Sequence, residues 1–165
     1  MNTKIFAPYT KQIPEVIEAM NAYKGKRWID HINVGKDDTS YWHELIGQVT
    51  DCIKNKCDLV IIEHDIVINK DTLQSFDDCQ NIWCGSPYQL QTLKDTALGC
   101  TRLRYSLLVK YPNLVYDAGK IPLNGRFPEG HWKRLDSRIK MQMQRLEISE
   151  CINHREVKHL HDYSN

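Results

Sequence analysis

The stretch DLVIIEHDIVI, residues 58–68, sets three ionisable side chains, Glu63, His64 and Asp65, inside the most apolar run of the chain. A carboxylate in such surroundings is costly unless a cation or a donor meets it. In an extended segment, residues two apart point the same way. Glu63 and Asp65 therefore share one face, and His64 looks to the other. Two carboxylates about 6–7 Å apart along a strand reach one hard cation or its water shell. The plainer alternative is that Asp65 caps a turn and Glu63 pairs with a surface lysine. A second group lies in HREVKHLH, with His154, His159 and His161. Imidazole nitrogen joined to carboxylate oxygen suits Mn²⁺ or a similar divalent ion; otherwise this is a histidine-rich surface tail. The two groups combine only if the tail folds back to the strand end. A third candidate, Asp136 in HWKRLDSRI, falls in the first turn of a helix, where the helix dipole stabilises an anion. It is either a helix-start residue or a carboxylate base facing a cleft.

The elements that must position these groups follow from periodicity. KIFAPY (4–9) reads as a first strand, and Ile13, Val16, Ile17 and Met20 mark one face of a helix. WIDHINV (28–34) reads as a second strand. Trp42, Leu45, Ile46, Val49 and Ile53 mark a second helix that runs to about Lys56. The acidic run itself reads as one continuous, buried, parallel strand. TLQSFDDC predicts a short helix, and NIWCGSPY a strand closed by Gly85 and Pro87. TALGCTRLRYSLLVKY begins as a glycine turn and becomes a helix. Residues 111–131, with three Pro and three Gly, read as a long loop of the kind that often binds or covers a ligand. Trp132, Leu135, Ile139, Met143 and Leu146 mark a last helix, and EVKHLHDYSN an extended tail. The order β-α-β-α-β followed by mixed elements indicates an α/β domain with a mainly parallel sheet. In such sheets ligands gather at the carboxyl ends of the strands, which is where the acids stand.

The 165 residues fit one domain, and 26% charged with 41% hydrophobic residues suits a soluble globular protein. No apolar run is long enough for a membrane span, and the first residues show no secretion signal, so a cytoplasmic location is expected. Cysteines stand at 52, 57, 79, 84, 100 and 151 without a CxxC pair, which predicts free thiols. Residues 1–100 hold 10 Lys/Arg against 14 Asp/Glu, whereas residues 101–165 hold 12 against 7. The basic stretch 126–145 is either a solvated helix face or a surface for an anionic ligand. The dinucleotide glycine fingerprint, the phosphate loop, the GxSxG elbow and the HExxH helix are all missing.

The acidic strand end is followed in order by IWCGSPY, ALGCTRLRYSLL, HWKRLDSRI and a terminal HLH. This series resembles small phage and bacterial nucleotide-sugar glycosyltransferases of the GT-A fold, over most of residues 4–161. The resemblance implies a Rossmann-like fold in a single domain spanning 1–165. Residues up to about 68 would form a nucleotide-binding half, and the remainder an acceptor half and tail. It implies that Asp65 holds Mn²⁺, or Mg²⁺, on the diphosphate of a nucleotide sugar, a UDP-sugar by preference. His161, ahead of His159, would complete the metal shell. Pro8, Tyr9 and Thr10 would line the base, and Asp30 would read the base edge or ribose. Glu63 stands where the family has Asp, and would bind through water or touch the ribose or sugar. His64 lies in the same donor-binding segment but faces away. Residues Gly99 to Arg102 would border the acceptor, Trp132 would stack on a sugar ring or base, and Asp136 would be the base of an inverting transfer. The acceptor implied is a glycan, a protein or, in a phage, a modified base in DNA. Two competing readings use the same residues: a metal-dependent phosphoesterase, and a nucleotide-sugar-binding module without turnover.

Overall fold

The structure, a computed structural model, describes residues 2–90, 93–95, 98–123 and 127–160. The chain begins with β1 (Thr3–Tyr9), α1 (Pro14–Tyr23), β2 (Trp28–Asn33), α2 (Ser40–Asn55) and β3 (Asp58–Ile62). It continues through β4 (Ile66–Val67), α3 (Lys70–Asp78), β5 (Trp83–Gly85), β6 (Tyr88–Leu90), β7 (Leu93–Asp95) and β8 (Cys100–Leu103). It ends with α4 (Tyr105–Lys110), α5 (Leu114–Gly119), a 3₁₀ turn (Trp132–Arg134), α6 (Leu135–Arg145) and β9 (Lys158–His159). The central sheet has the order β2-β1-β3-β8-β5. β1, β2 and β3 are parallel, and β8 runs against both β3 and β5. This is an α/β, Rossmann-like arrangement with a mainly parallel sheet between helices.

Period-2 alternation sends the strand side chains to two cores. Phe6, Leu59, Ile61, Trp83 and Leu103 pack on the face covered by α2, α4, α5 and α6. Ile5, Ala7, Val60, Ile62 and Cys100 pack on the face covered by α1 and α3. Each expected helix has a local cause. Pro14 opens α1 at a first-turn position, where its missing N–H is not needed. Asn69 caps α3, its side chain accepting from the Asp71 N–H while Thr72 Oγ1 accepts from the Asn69 N–H. Lys56 ends α2 in the left-handed region at φ 53°.

Three expectations are corrected. The acidic run is not one strand: β3 stops at Ile62, and Glu63–Ile66 is a turn closed by the Ile66 N–H on the Glu63 carbonyl at 3.1 Å. β4 then pairs antiparallel with β9, outside the central sheet. A straight strand would carry an ionisable side chain onward into an apolar layer, whereas the turn keeps all three at the sheet edge. Residues 100–103 are not a turn entering a helix but β8, with α4 starting only at Tyr105. Residues 111–131 are not all loop, because Leu114, Val115 and Ala118 form the buried side of α5.

Trp42 locks α2 to this last region. Its indole Nε1 donates to the Val115 carbonyl at 2.9 Å, and its ring lies against Gly119 and Gly130. A Cβ on Gly130 would stand 2.0 Å from Trp42 Cε3, and its φ of +69° already favours glycine. Gly130→Ala is expected to cost about 2 kcal/mol or more through overpacking and backbone strain. Gly47 lies on the open side of α2, and a Cβ there would have nothing within 4 Å. It should respond oppositely: Gly47→Ala should stabilise by roughly 0.5–1 kcal/mol. Denaturant unfolding of the two variants checks this, and equal signs would contradict the clamp.

Candidate functional site

The carboxyl ends of β1, β2 and β3 and the start of β8 lie at one edge of the sheet. Glu63 is pinned there by its backbone, its N–H donating to the Gly99 carbonyl at 2.9 Å. Its side chain accepts from the Tyr41 hydroxyl at 2.8 Å. Burial pushes the Glu63 carboxyl up to about 7 from its usual 4.5; the Tyr41 hydrogen bond opposes this, while the charges of Asp65 and Asp136 add to it. Burial, then the charge of Glu63, pushes the Tyr41 hydroxyl upward, so Tyr41 remains a donor.

Asp65 lies two residues further along the turn. Its Oδ2 is 3.0 Å from His159 Nε2, and its Oδ1 is buried without a hydrogen-bond partner among the described residues. The tail does fold back: the Leu160 N–H donates to the Asp65 carbonyl at 2.7 Å, and the Val157 N–H to the Pro87 carbonyl at 3.0 Å. The His159 ring stacks on Tyr88 at 5.1 Å between centroids. Gly99 lets Tyr88 approach, since a Cβ there would lie 2.8 Å from the Tyr88 hydroxyl. Gly99 thus supports the site from behind through Tyr88, His159 and Asp65.

Asp136 stands in the first turn of α6. Its charge adds, less than burial does, to the upward shifts of Glu63, Tyr41 and Tyr88, so it lies within electrostatic reach of the β3 end. Its Oδ1 accepts from the Ser137 hydroxyl at 3.4 Å. Trp132, just ahead of it, is 51% exposed and is fixed by its N–H on the Asp38 carbonyl at 3.0 Å. Pro8 and Tyr9 line a crevice with His64 on the α1 side, so His64 faces away from the carboxylates. Thr10 is exposed and packs against Gly35.

Other expected positions are drawn elsewhere. Asp30 pairs with Lys4 at 2.7 Å, in the middle of its strand and not at the strand's end. Arg102 does not border the cleft: it is 1% exposed, and its guanidinium donates to the carbonyls of Phe76, Cys79 and Asn81. Its role is to hold the end of α3. Within the basic stretch, Arg138 is buried and donates to the Phe127 and Pro128 carbonyls. Lys133 and Arg134 lie over the rings of Trp132 and Phe127. Desolvation by burial lowers the Arg138 pKa. His161 falls outside the described residues, as does Arg126.

Tyr41 and Tyr88 are site residues that sequence reasoning missed. Tyr41 sits beside Trp42 in an ordinary amphipathic helix, and Tyr88 opens the three-residue β6. The one available signal was the need of a buried carboxylate for a hydroxyl donor.

Asp65 and His159 offer carboxylate oxygen and imidazole nitrogen to a divalent cation, and the orphaned Oδ1 of Asp65 fits such a ligand. Among the described residues, no third His, Cys, Asp or Glu donor closes around them.

No family model matches the chain, and no curated protein matches it. Solved structures do share its fold. One is a glycosyltransferase involved in the glycosylation of the major capsid of PBCV-1, with a TM-score of 0.66 at 8% identity, covering 99% of this chain and 95% of that one. Another is A197 from STIV, with a TM-score of 0.52 at 12% identity, covering 97% of this chain and 82% of that one. Among the described residues, no helix is long and apolar enough to cross a membrane. The chain therefore shares the α/β fold of these structures, with Glu63 and Asp65 at the carboxyl edge of its sheet.

Proposed function

We propose that the chain is a glycosyltransferase of the GT-A type that moves a sugar from a nucleotide sugar to an acceptor hydroxyl with inversion. The observation that carries this reading is the pairing of Asp65 with His159 beside the buried Glu63 at the carboxyl edge of the sheet, with the charge of Asp136 within electrostatic reach, on a fold shared along nearly the whole length of a viral glycosyltransferase. The nucleotide lies over Pro8, Tyr9 and Thr10, in the half up to about residue 68. The remainder, with Trp132 exposed at its entrance, receives the acceptor.

Asp65 and His159 would hold Mn²⁺ or Mg²⁺, with His161 as a further candidate ligand, and the cation would supply electrostatic stabilisation to a diphosphate leaving group. Asp136 takes the proton of the acceptor hydroxyl as its oxygen bonds to the anomeric carbon and the bond to the nucleoside diphosphate breaks. Glu63, held by Tyr41, orients the ribose or sugar. The donor is a UDP-sugar. The acceptor is a glycan or protein hydroxyl in preference to modified DNA. Arg138 is internal, and Lys133 and Arg134 are laid on aromatic rings, which leaves less of the basic stretch for phosphates.

Asp65→Ala should abolish Mn²⁺-dependent UDP binding in a calorimetric titration; binding that survives would remove the metal assignment. Asp136→Asn should keep UDP binding and lose transfer by about 10²-fold or more, read as sugar transfer from a panel of UDP-sugars. Unchanged turnover would remove Asp136 as the base, and hydrolysis of phosphodiesters without a sugar donor would favour the phosphoesterase. Glu63 yields a pH test. Its folded pKa, about 7, lies above the usual 4.5, so the native state keeps a proton that the unfolded chain has released. The stability associated with that proton is present below pH 4.5 and is lost as pH rises through 7. At ~1.4 kcal/mol per unit the loss is on the order of 3 kcal/mol. Melting temperatures of Glu63→Gln and the parent should therefore diverge in the variant's favour between pH 5 and 8; a constant difference would contradict the buried acid.

A further inference from the structure

Away from the sheet edge, the end of α3 and the returning tail bring two thiols and an imidazole together. One ligand atom each from Cys79, Cys151 and His154 lies within 4.8 Å of the others. Cys79 is the residue that ends α3. Cys151 lies alongside Cys84 of β5 in an isolated backbone bridge, with the Cys151 N–H on the Trp83 carbonyl and the Gly85 N–H on the Cys151 carbonyl, both at 3.0 Å. His154 lies edge-on against Phe76 at 5.0 Å.

The hydrogen bonds around these groups orient them for a metal. The Ser75 hydroxyl donates to the Thr72 carbonyl at 2.8 Å, so toward His154 Nδ1, 3.1 Å away, it can only accept. Nδ1 therefore carries the imidazole proton and Nε2 carries the lone pair. That Nε2 is buried and has no hydrogen-bond partner among the described residues. A backing hydrogen bond on one ring nitrogen is the usual way a metal-binding histidine is aimed. Cys79 Sγ accepts from the Cys84 thiol at 3.2 Å and from Asn81 Nδ2 at 3.5 Å. Two donors on one sulfur favour its thiolate form.

We propose that Cys79, Cys151 and His154 bind one Zn²⁺, with water in the fourth position and Cys84 supporting Cys79 from behind. Thiolate and imidazole together select zinc over the hard cations that suit carboxylates. With Zn–S near 2.3 Å and Zn–N near 2.0–2.1 Å, a small contraction of the cluster closes the site. The ion ties residues 151–154 to α3 and so anchors the segment that carries His159. It acts as a staple, independent of any transfer activity.

Full-length protein prepared under reducing conditions should hold one equivalent of zinc by elemental analysis. After chelation, Co²⁺ should restore binding with a thiolate-to-cobalt charge-transfer band. His154→Ala and Cys151→Ser should lose that band. Ser75→Ala, which leaves all three ligands in place, should weaken Co²⁺ binding by about 10–100-fold. Cys57→Ser, remote from the cluster, should keep the band. Reduced parent protein that takes up no Co²⁺, or takes it up without a thiolate band, would overturn the site whether or not any variant folds. So would a Cys79–Cys151 disulfide that persists in the reduced preparation.

Discussion

The turn from Glu63 to Ile66 is the constraint on which the rest of the site depends. Up to Ile62 the chain is a fully buried central strand, paired on both sides. Glu63 makes one last backbone bond, to Gly99, and the chain then leaves the sheet. That departure places two carboxylates where a sheet of this kind opens, and not within its core. It also starts β4, whose pairing with β9 returns the histidine-bearing tail to Asp65. Had β3 continued straight, the acids and the tail would not meet.

Support for the site comes from residues that bear no chemistry of their own. Tyr41 and Trp42 are neighbours on α2 with different tasks: Tyr41 donates to Glu63, and Trp42 fixes the helix against α5 and Gly130. A shift of α2 would therefore move the donor that keeps a buried carboxylate satisfied. On the other side, Gly99, Tyr88 and His159 form a stacked buttress behind Asp65. Removing a methyl's worth of space at Gly99 would press on Asp65 through two aromatic rings.

Much of this was legible in the sequence, for identifiable reasons. α1, α2 and α6 are amphipathic with clear 3.6 periods, and β1 and β3 are apolar runs between polar turns. Asp65 and Asp136 stood out because a carboxylate in an apolar run or in a first helical turn calls for an explanation. β8 did not stand out: four residues including Arg102 carry too little pattern, and the arginine is tolerated only because three distant carbonyls receive it. α5 hid among prolines and glycines, being only six residues long. Tyr41, Tyr88 and the Cys79–Cys151–His154 group depend on contacts between residues far apart in the chain, which no local spacing reveals.

The pairing of β4 with β9 also bears on how the chain is made. Asp65 emerges early in synthesis and His159 late, so the carboxylate waits on the ribosome without its imidazole while helices and strands between them form. The pairings of β3 with β8 and of β4 with β9 likewise join residues about 40 and 90 positions apart, and such non-local contacts are slow to form. The contact that shields Asp65 therefore cannot form until the segment carrying His159 has been made.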